Sequence, residues 1–277
     1  MDSPLVSVDQ LAALVTADPP PAILDVRWEL AAGARPDLFL EGHIPSAQFV
    51  DLDADLASAP GAGGRHPLPA RPHFQAAMRI RGVSAGRMTV LYDAGPATAA
   101  ARAWWLLRYF GHPAVAVLDG GLAAWLASGQ PLETGPAASV RAGEFKATAG
   151  GMPVLDAAAA ARLAGQGGLL DARAPARFQG EAEPVDPVAG HIPGALNRPT
   201  TLNVDAAGRL RSPGELRDAF AALGVHDETP VGAYCGSGVT AAHEVLALER
   251  AGFRAALYPG SWSEWITDPS RPVATGP

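Results

Sequence analysis

The chain contains an internal repeat, and this repeat constrains its fold more than any other sequence feature. A short apolar run ending in Leu-Asp, a Gly-His-Ile-Pro motif and a run ending in Trp occur in the same order in both halves. Landmarks recur at an offset of 140 to 148 residues, and the pairs are Asp25 and Asp171, His43 and His191, Asp93 and Cys235, and Trp125 and Trp265. Self-similarity at one long period predicts two copies of a single domain.

Each copy alternates short apolar runs with segments of helical periodicity, such as residues 97–111 and 214–224. This alternation predicts βαβ units, so we expect an α/β fold in which each domain is a parallel sheet flanked by helices. Residues 133–153 are rich in Gly, Ala and Pro and show no convincing period, which favours a linker. The predicted boundaries are an N-terminal domain at 1–135, a linker at 136–153 and a C-terminal domain at 154–277.

Cys235 is the single cysteine of the 277 residues, and its surroundings indicate a reactive thiol. It ends an apolar run, and the small residues Gly236, Ser237 and Gly238 lead from it into a helical pattern. A loop that closes onto a helix N-terminus turns backbone N–H groups towards an anion, and thiolates are stabilised in such places. Most free cysteines are buried as small hydrophobic residues. The Gly-Ser-Gly loop nevertheless favours a nucleophilic thiolate at Cys235.

The two repeats differ chemically at this position. Alignment of the repeats places Asp93 where the second copy has Cys235. A carboxylate does not perform the nucleophilic work of a thiolate, so we expect the first domain to lack this chemistry.

Composition excludes several classes of protein. The formal charge of −7 argues against a nucleic-acid partner. No apolar run reaches the roughly 18 to 20 residues of a membrane span, and the first ten residues lack the pattern of a signal peptide. A single cysteine forms no internal disulfide, and a reactive thiol persists best in a reducing compartment. We therefore expect a cytoplasmic protein without a membrane partner.

The sequence implies no cofactor and no metal. The GSGVT loop lacks the GKS or GKT ending of a phosphate-binding loop, and there is no GxGxxG motif. With one cysteine and no ligand-like histidine spacing, a zinc site is not expected. Cysteine-dependent phosphatase chemistry is disfavoured because the position six residues after the cysteine is Ala241 rather than an arginine.

The repeated Gly-His-Ile-Pro motif, the CGSGVTA loop at 235–241 and the YPGSWSEW motif at 258–265 resemble the tandem-domain rhodanese sulfurtransferases. The similarity spans nearly the whole chain. It implies that Cys235 accepts a sulfur atom from a donor, becomes a persulfide and passes the sulfur to a nucleophilic acceptor. Cyanide, a thiol or a thioredoxin-like protein would serve as acceptor. A persulfide carrier with little turnover is the alternative that this chemistry leaves open.

Within that family, the CGSGVT loop is similar to the branch that uses 3-mercaptopyruvate, whereas thiosulfate-preferring members carry Arg and Lys after the cysteine. The resemblance implies that Arg177 binds the donor. It assigns substrate binding also to the loop residues Gly236, Gly238, Val239 and Thr240. The mercaptopyruvate branch has a second arginine between this position and the Gly-His-Ile-Pro motif, where this chain has Asp186 or its neighbours. Thiosulfate therefore remains the alternative donor.

The resemblance also implies a relay of hydroxyl, imidazole and carboxylate. Its members in this sequence are Ser237, His66 and Asp53. Because His66 and Asp53 precede the linker, the relay is predicted to close across the interdomain cleft and either to protonate the leaving enolate or to polarise the carbonyl. His43 and His191 occur in both copies, so we expect them to be structural, with each imidazole bonded to nearby backbone. Asp25 and Asp171 are expected to hold a loop or an arginine.

Overall fold

The structure is a computed structural model that describes residues 3–277, and its contacts divide the chain into two compact units. Unit 1 comprises the described residues up to Ser58 with Leu68–Met152 and Asp205–Leu210. Unit 2 comprises Ala59–Pro67, Pro153–Val204 and Arg211–Pro277. The segment 59–67, which lies in the first repeat of the sequence, thus makes its contacts in unit 2. The domain boundaries at 135 and 153 stay a prediction, and Met1 and Asp2 of the predicted first domain lie outside the described residues.

Unit 1 is built on a parallel sheet. Its strands are β1 (Leu5–Val6), β2 (Ala22–Asp25), β3 (Trp28–Glu29), β4 (Gly33–Ala34), β5 (Gln48–Phe49), β6 (Thr89–Tyr92) and β7 (Val115–Leu118). The sheet order is β1-β7-β6-β2-β5, with every neighbouring pair parallel, and β3 and β4 form a separate antiparallel pair. All residues of β2, β6 and β7 are buried, as expected for central parallel strands covered on both faces.

The helices of unit 1 cover this sheet. They are α1 (Val8–Val15), α2 (Pro36–Glu41), α3 (Leu52–Asp55), α4 (Arg71–Ile80), α5 (Thr98–Tyr109) and α6 (Gly121–Ala127). α1 begins with a capping box, in which the Ser7 hydroxyl accepts from the Gln10 N–H and the Gln10 side chain accepts from the Ser7 N–H. The apolar face of α1 packs with Trp125 of α6 in one core cluster.

Unit 2 repeats the same plan. Its strands are β8 (Leu169–Asp171), β9 (Leu196–Asn197), β10 (Val231–Tyr234) and β11 (Ala255–Leu257). Its helices are α7 (Ala157–Gly165), α8 (Pro175–Phe178), α9 (Pro213–Ala221), α10 (Thr240–Arg250) and α11 (Ser261–Trp265), with a 3-10 turn at Thr200–Asn203. The sheet order β11-β10-β8-β9 is all parallel and corresponds to β7-β6-β2-β5 of unit 1. The predicted α/β fold with two repeated parallel sheets is confirmed.

The predicted linker packs along unit 1. The Gly143 N–H donates to the Arg79 carbonyl at 2.7 Å, and the Thr148 N–H donates to the Phe110 carbonyl at 2.9 Å. Phe145 between them is buried against Phe74. Gly143 allows this close approach, because a Cβ there would overlap the Val83 carbonyl oxygen.

Within residues 3–277, no helix combines the length and the apolar character that a membrane crossing requires. The same residues contain no group of three or more His, Cys, Asp or Glu side chains that could hold a metal ion.

Candidate active site

Cys235 directly follows β10, at the carboxyl end of a parallel strand, where ligands bind in open α/β sheets. Its side chain is 2% exposed. The Cys235 N–H donates to the Ser261 hydroxyl at 3.1 Å, and the Cys235 carbonyl accepts from the Trp262 N–H at 2.9 Å. These two bonds fasten the cysteine to the start of α11, so its backbone position is fixed by the YPGSWSEW motif.

The loop after Cys235 turns a backbone donor towards the sulfur. The Gly238 N–H donates to Cys235 Sγ at 3.1 Å. Gly238 has a φ of +79°, and a Cβ there would overlap the Pro259 carbonyl oxygen, so this turn requires glycine. α10 begins two residues later, at Thr240, and Val239 is buried at its N-cap. Backbone N–H groups and helix N-termini are places where proteins bind anions.

Ser237 and His66 meet beside this loop. His66 Nδ1 and Ser237 Oγ lie 2.8 Å apart, and both residues are buried, at 7% and 5% exposure. Gly64, two residues before His66, packs so closely on the turn before α11 that a Cβ would lie 2.7 Å from the Gly260 carbonyl oxygen. The His66 segment is therefore held on the same unit as Cys235.

Asp53, the predicted third member of the relay, lies in α3 of unit 1. Its Oδ2 accepts a hydrogen bond from Trp28 Nε1 at 3.0 Å. Its role in a relay with His66 stays a prediction.

Arg177 lies in α8 and is held by two carboxylates. Its Nε is 3.1 and 3.0 Å from the two carboxylate oxygens of Glu183, and its Nη2 donates to Glu183 at 2.6 Å and to Asp186 at 3.1 Å. Arg65 forms an ion pair with the same Asp186. A Cβ built on Gly236 would lie 3.0 Å from Arg65 Nη2 and 3.5 Å from Arg177 Nη2. Two guanidinium groups therefore lie beside Gly236, in the loop that carries the thiol.

Sequence reasoning missed Arg65 and Glu183. Arg65 precedes His66 without any motif of its own, and its ion-pair partner Asp186 is 121 residues away in the chain. Glu183 belongs to the acidic EAEPVD stretch, whose charges would have suggested a cationic neighbour. Burial opposes ionisation of Glu183, but hydrogen bonds from Arg177 and from the Asp186 and Val185 N–H groups outweigh it and lower its pKa.

The repeated histidine and aspartate are structural, as predicted. Asp171 holds Arg173 through paired side-chain hydrogen bonds, and Arg173 Nη2 donates to the Gly190 carbonyl at 2.7 Å. His191 stacks on Phe178 with ring centroids 3.7 Å apart, and its Nδ1 is 2.8 Å from the Phe178 carbonyl oxygen. The same arrangement occurs in the first repeat with Asp25, Arg27, Gly42, His43 and Phe39.

Asp93 fills the loop of the first repeat that corresponds to the Cys235 loop. Its carboxylate is 5% exposed and accepts four backbone N–H groups at 2.9 to 3.2 Å. The donors are Gly95, Ala97, Ala99 and Ala100. The loop of the first repeat thus also binds a carboxylate with its backbone N–H groups, and this carboxylate belongs to the protein itself.

Comparison with known proteins agrees with this geometry. The family model of the rhodanese-like domain matches residues 7–128 and again residues 156–268. The chain therefore belongs to the family of proteins with rhodanese-like domains, and it contains two of them.

Particular relatives extend the match to nearly the full length. A protein of Pseudomonas aeruginosa named as a probable 3-mercaptopyruvate sulfurtransferase is 48% identical over 98% of this chain and 98% of its own. A Mycobacterium tuberculosis protein, provisionally named as the thiosulfate sulfurtransferase SseB, is 43% identical over 98% of this chain and 97% of its own. The crystal structure of SseA from Escherichia coli, described as having the rhodanese fold, superposes with a TM-score of 0.82 at 36% identity and covers 95% of this chain and 100% of that one.

Proposed function

We propose that this protein is a sulfurtransferase that moves the sulfur atom of 3-mercaptopyruvate to a thiol or to cyanide through a persulfide on Cys235. The observation that carries the proposal is the buried Cys235, whose Sγ accepts the Gly238 N–H at 3.1 Å at the end of a parallel strand. A thiolate stabilised in this way is the nucleophile that persulfide formation requires.

In the first half-reaction, the Cys235 thiolate attacks the sulfur of 3-mercaptopyruvate. A sulfur–sulfur bond forms, the carbon–sulfur bond of the donor breaks, and its electron pair passes to the carbon as the enolate of pyruvate. The enolate takes up a proton, and pyruvate leaves. We assign delivery of this proton to Ser237 and His66, since Ser237 Oγ and His66 Nδ1 lie 2.8 Å apart. Asp53 is the proposed carboxylate of the relay.

In the second half-reaction, the acceptor attacks the outer sulfur of the persulfide. The sulfur–sulfur bond breaks, and its electron pair returns to Cys235 as the thiolate. Cyanide then leaves as thiocyanate, and a thiol leaves as its own persulfide. A thioredoxin-like protein is included among the proposed acceptors, and a cytoplasmic location is proposed because a reducing compartment preserves the thiol.

The Pseudomonas aeruginosa and Mycobacterium tuberculosis relatives are named for different sulfur donors. In this protein the charges beside Gly236 favour 3-mercaptopyruvate. The loop itself has no cationic side chain, but Arg65 and Arg177 approach it from other segments. Their charges are balanced by Glu183 and Asp186. A balanced cluster accepts the single charge of a carboxylate more readily than the double charge of thiosulfate. Backbone groups of Gly236, Gly238, Val239 and Thr240 are proposed to line the rest of the donor site.

The proposal is tested by intact-mass measurement of the protein after incubation with 3-mercaptopyruvate. We expect one added sulfur atom on the wild-type protein, its loss on addition of cyanide, and no addition to a Cys235→Ser variant. Repeated turnovers distinguish an enzyme from a carrier, which would give one stoichiometric burst. Sulfur transfer that persists in the Cys235→Ser variant would refute the persulfide on this residue.

A further inference from the structure

We propose that Arg65 is a second donor-binding residue and that it binds the donor carboxylate together with Arg177. In this proposal Asp186 is a positioning residue, which makes the two arginines selective for monoanionic 2-oxo acids. The inference rests on the proposed sulfurtransferase function and adds the basis of its donor selectivity. It assigns a new role to Asp186, at the place where the resemblance led us to expect the loss of a carboxylate contact.

The backbone of Arg65 is fixed next to the thiol loop. Its N–H donates to Ser263 Oγ at 3.0 Å, and the Ser263 N–H donates to the Gly236 carbonyl at 2.9 Å. His66 follows and contacts Ser237. The segment from Gly64 to His66 therefore packs on the start of α11 and, through His66, on the thiol loop.

The side chain of Arg65 is directed to this loop and remains reachable from solvent. Its side chain is 25% exposed, and its Nη2 would lie 3.0 Å from a Cβ on Gly236. Arg65 Nε is buried and has no hydrogen-bond partner among the described residues. The guanidinium beside Gly236 thus retains an unused donor, whereas most buried donors are paired.

Asp186 joins the two arginines. Its Oδ1 pairs with Arg65 Nη1, and its Oδ2 accepts from Arg177 Nη2 at 3.1 Å. Its side chain is 3% exposed, and its own N–H donates to Glu183 at 3.1 Å. One buried carboxylate therefore fixes the orientation of both planar guanidinium groups on the side of Gly236.

Two guanidinium groups in a fixed orientation match the geometry of a carboxylate and its neighbouring oxo group. Arginine binds a carboxylate through parallel N–H bonds, and it binds tetrahedral oxyanions in the same way, so the selectivity of the pair comes from its charge. The formal charges of Arg65, Arg177, Glu183 and Asp186 sum to zero. A bound monoanion leaves one net negative charge and a dianion leaves two, which is costlier in a partly buried site.

The first test replaces Arg65 by Met, with Arg162→Met on the exposed face of α7 as the matched control. We expect kcat/KM for 3-mercaptopyruvate to fall about 10- to 100-fold, mainly through KM, because one charge-assisted contact is lost. Arg177→Met serves as the benchmark for a donor-binding arginine. Arg65→Lys should restore only part of the activity, because an ammonium lacks the planar fork.

The second test replaces Asp186 by Asn, which keeps the shape and removes the charge. We expect the ratio of kcat/KM for thiosulfate to kcat/KM for 3-mercaptopyruvate to rise about tenfold, because the cluster then carries a net positive charge. A ratio that stays constant or falls overturns the role of Asp186.

Binding without turnover separates this inference from the proposed function. Calorimetric titration of the Cys235→Ser protein with pyruvate should show binding that Arg65→Met weakens about tenfold. Wild-type protein that forms no persulfide with either donor overturns the proposed function. Wild-type protein active with 3-mercaptopyruvate, combined with unchanged KM and unchanged pyruvate affinity in the Arg65→Met protein, overturns the inference alone.

Discussion

The Asp93 carboxylate is bound in the loop of the first repeat that corresponds to the Cys235 loop. We expect Asp93→Asn to destabilise unit 1 strongly. Its Oδ1 accepts from Gly95 and Ala97, and its Oδ2 accepts from Ala99 and Ala100. In asparagine, one of these oxygens becomes an NH₂ group, which donates and cannot accept. Two of the four buried N–H groups then lose their acceptor and face another donor.

The magnitude follows from these two groups. A buried donor left unsatisfied costs roughly 1 to 3 kcal/mol, so two cost about 2 to 6 kcal/mol. Burial raises the pKa of Asp93 and outweighs the opposing backbone hydrogen bonds, so the native protein already bears a desolvation cost that asparagine avoids. We therefore expect a net loss of about 2 to 4 kcal/mol. For a unit of this size, each kcal/mol lowers Tm by about 2 to 4 °C, which gives a decrease of about 5 to 15 °C.

Differential scanning calorimetry is the suitable assay because it resolves separate transitions in a protein with two units. Asp227→Asn is the matched control, since this carboxylate is 68% exposed and pairs with Arg217 at the surface. Surface substitutions of this kind usually change stability by less than about 0.5 kcal/mol. If Asp93→Asn melts within about 2 °C of the wild type, the four N–H bonds do not hold the loop, and the reasoning fails.

Two further predictions concern side chains around the thiol. We expect Ser237→Ala to slow persulfide formation from 3-mercaptopyruvate about 10- to 100-fold in single-turnover measurements while sparing transfer to cyanide. The reason is that the hydroxyl bonded to His66 is needed only when the enolate is protonated. Equal slowing of both steps would contradict this role. Burial raises the pKa of Glu244 to about 8. The positive charge of Arg198 and the hydrogen bond from Asn203 to Glu244 Oε2 oppose this rise and are outweighed. The folded protein then binds a proton that the unfolded chain lacks, so stability should decrease as pH rises from about 5 to about 8. Glu244→Gln should flatten this dependence in thermal melts at a series of pH values, and an unaltered slope would exclude Glu244 as its source.

The repeat, the sheet plan and the position of the nucleophile could be predicted because they depend on local patterns. Alternating apolar runs and helical periods define strands and helices without reference to distant residues. Cys235 was identified because the strand, the small-residue loop and the helix follow each other directly. The structural role of the repeated histidines was also predictable, since His43 occurs in the copy that lacks the thiol.

The charged cluster could not be predicted, because its members come from separate segments. Arg65 and Asp186 are 121 residues apart, and only the packing of the His66 segment on unit 2 brings them together. The sequence indicated a missing arginine near Asp186. The structure shows that this aspartate instead joins Arg177 to an arginine from another segment.

The sequence by itself therefore determined that this protein has two parallel α/β repeats and one loop cysteine, because hydrophobic periodicity and glycine-rich turns are encoded over neighbouring residues. Only the tertiary structure decided which charges surround that cysteine. Ion pairs and hydrogen bonds act over a few ångströms, whatever the distance along the chain, and the folded backbone sets which side chains come that close.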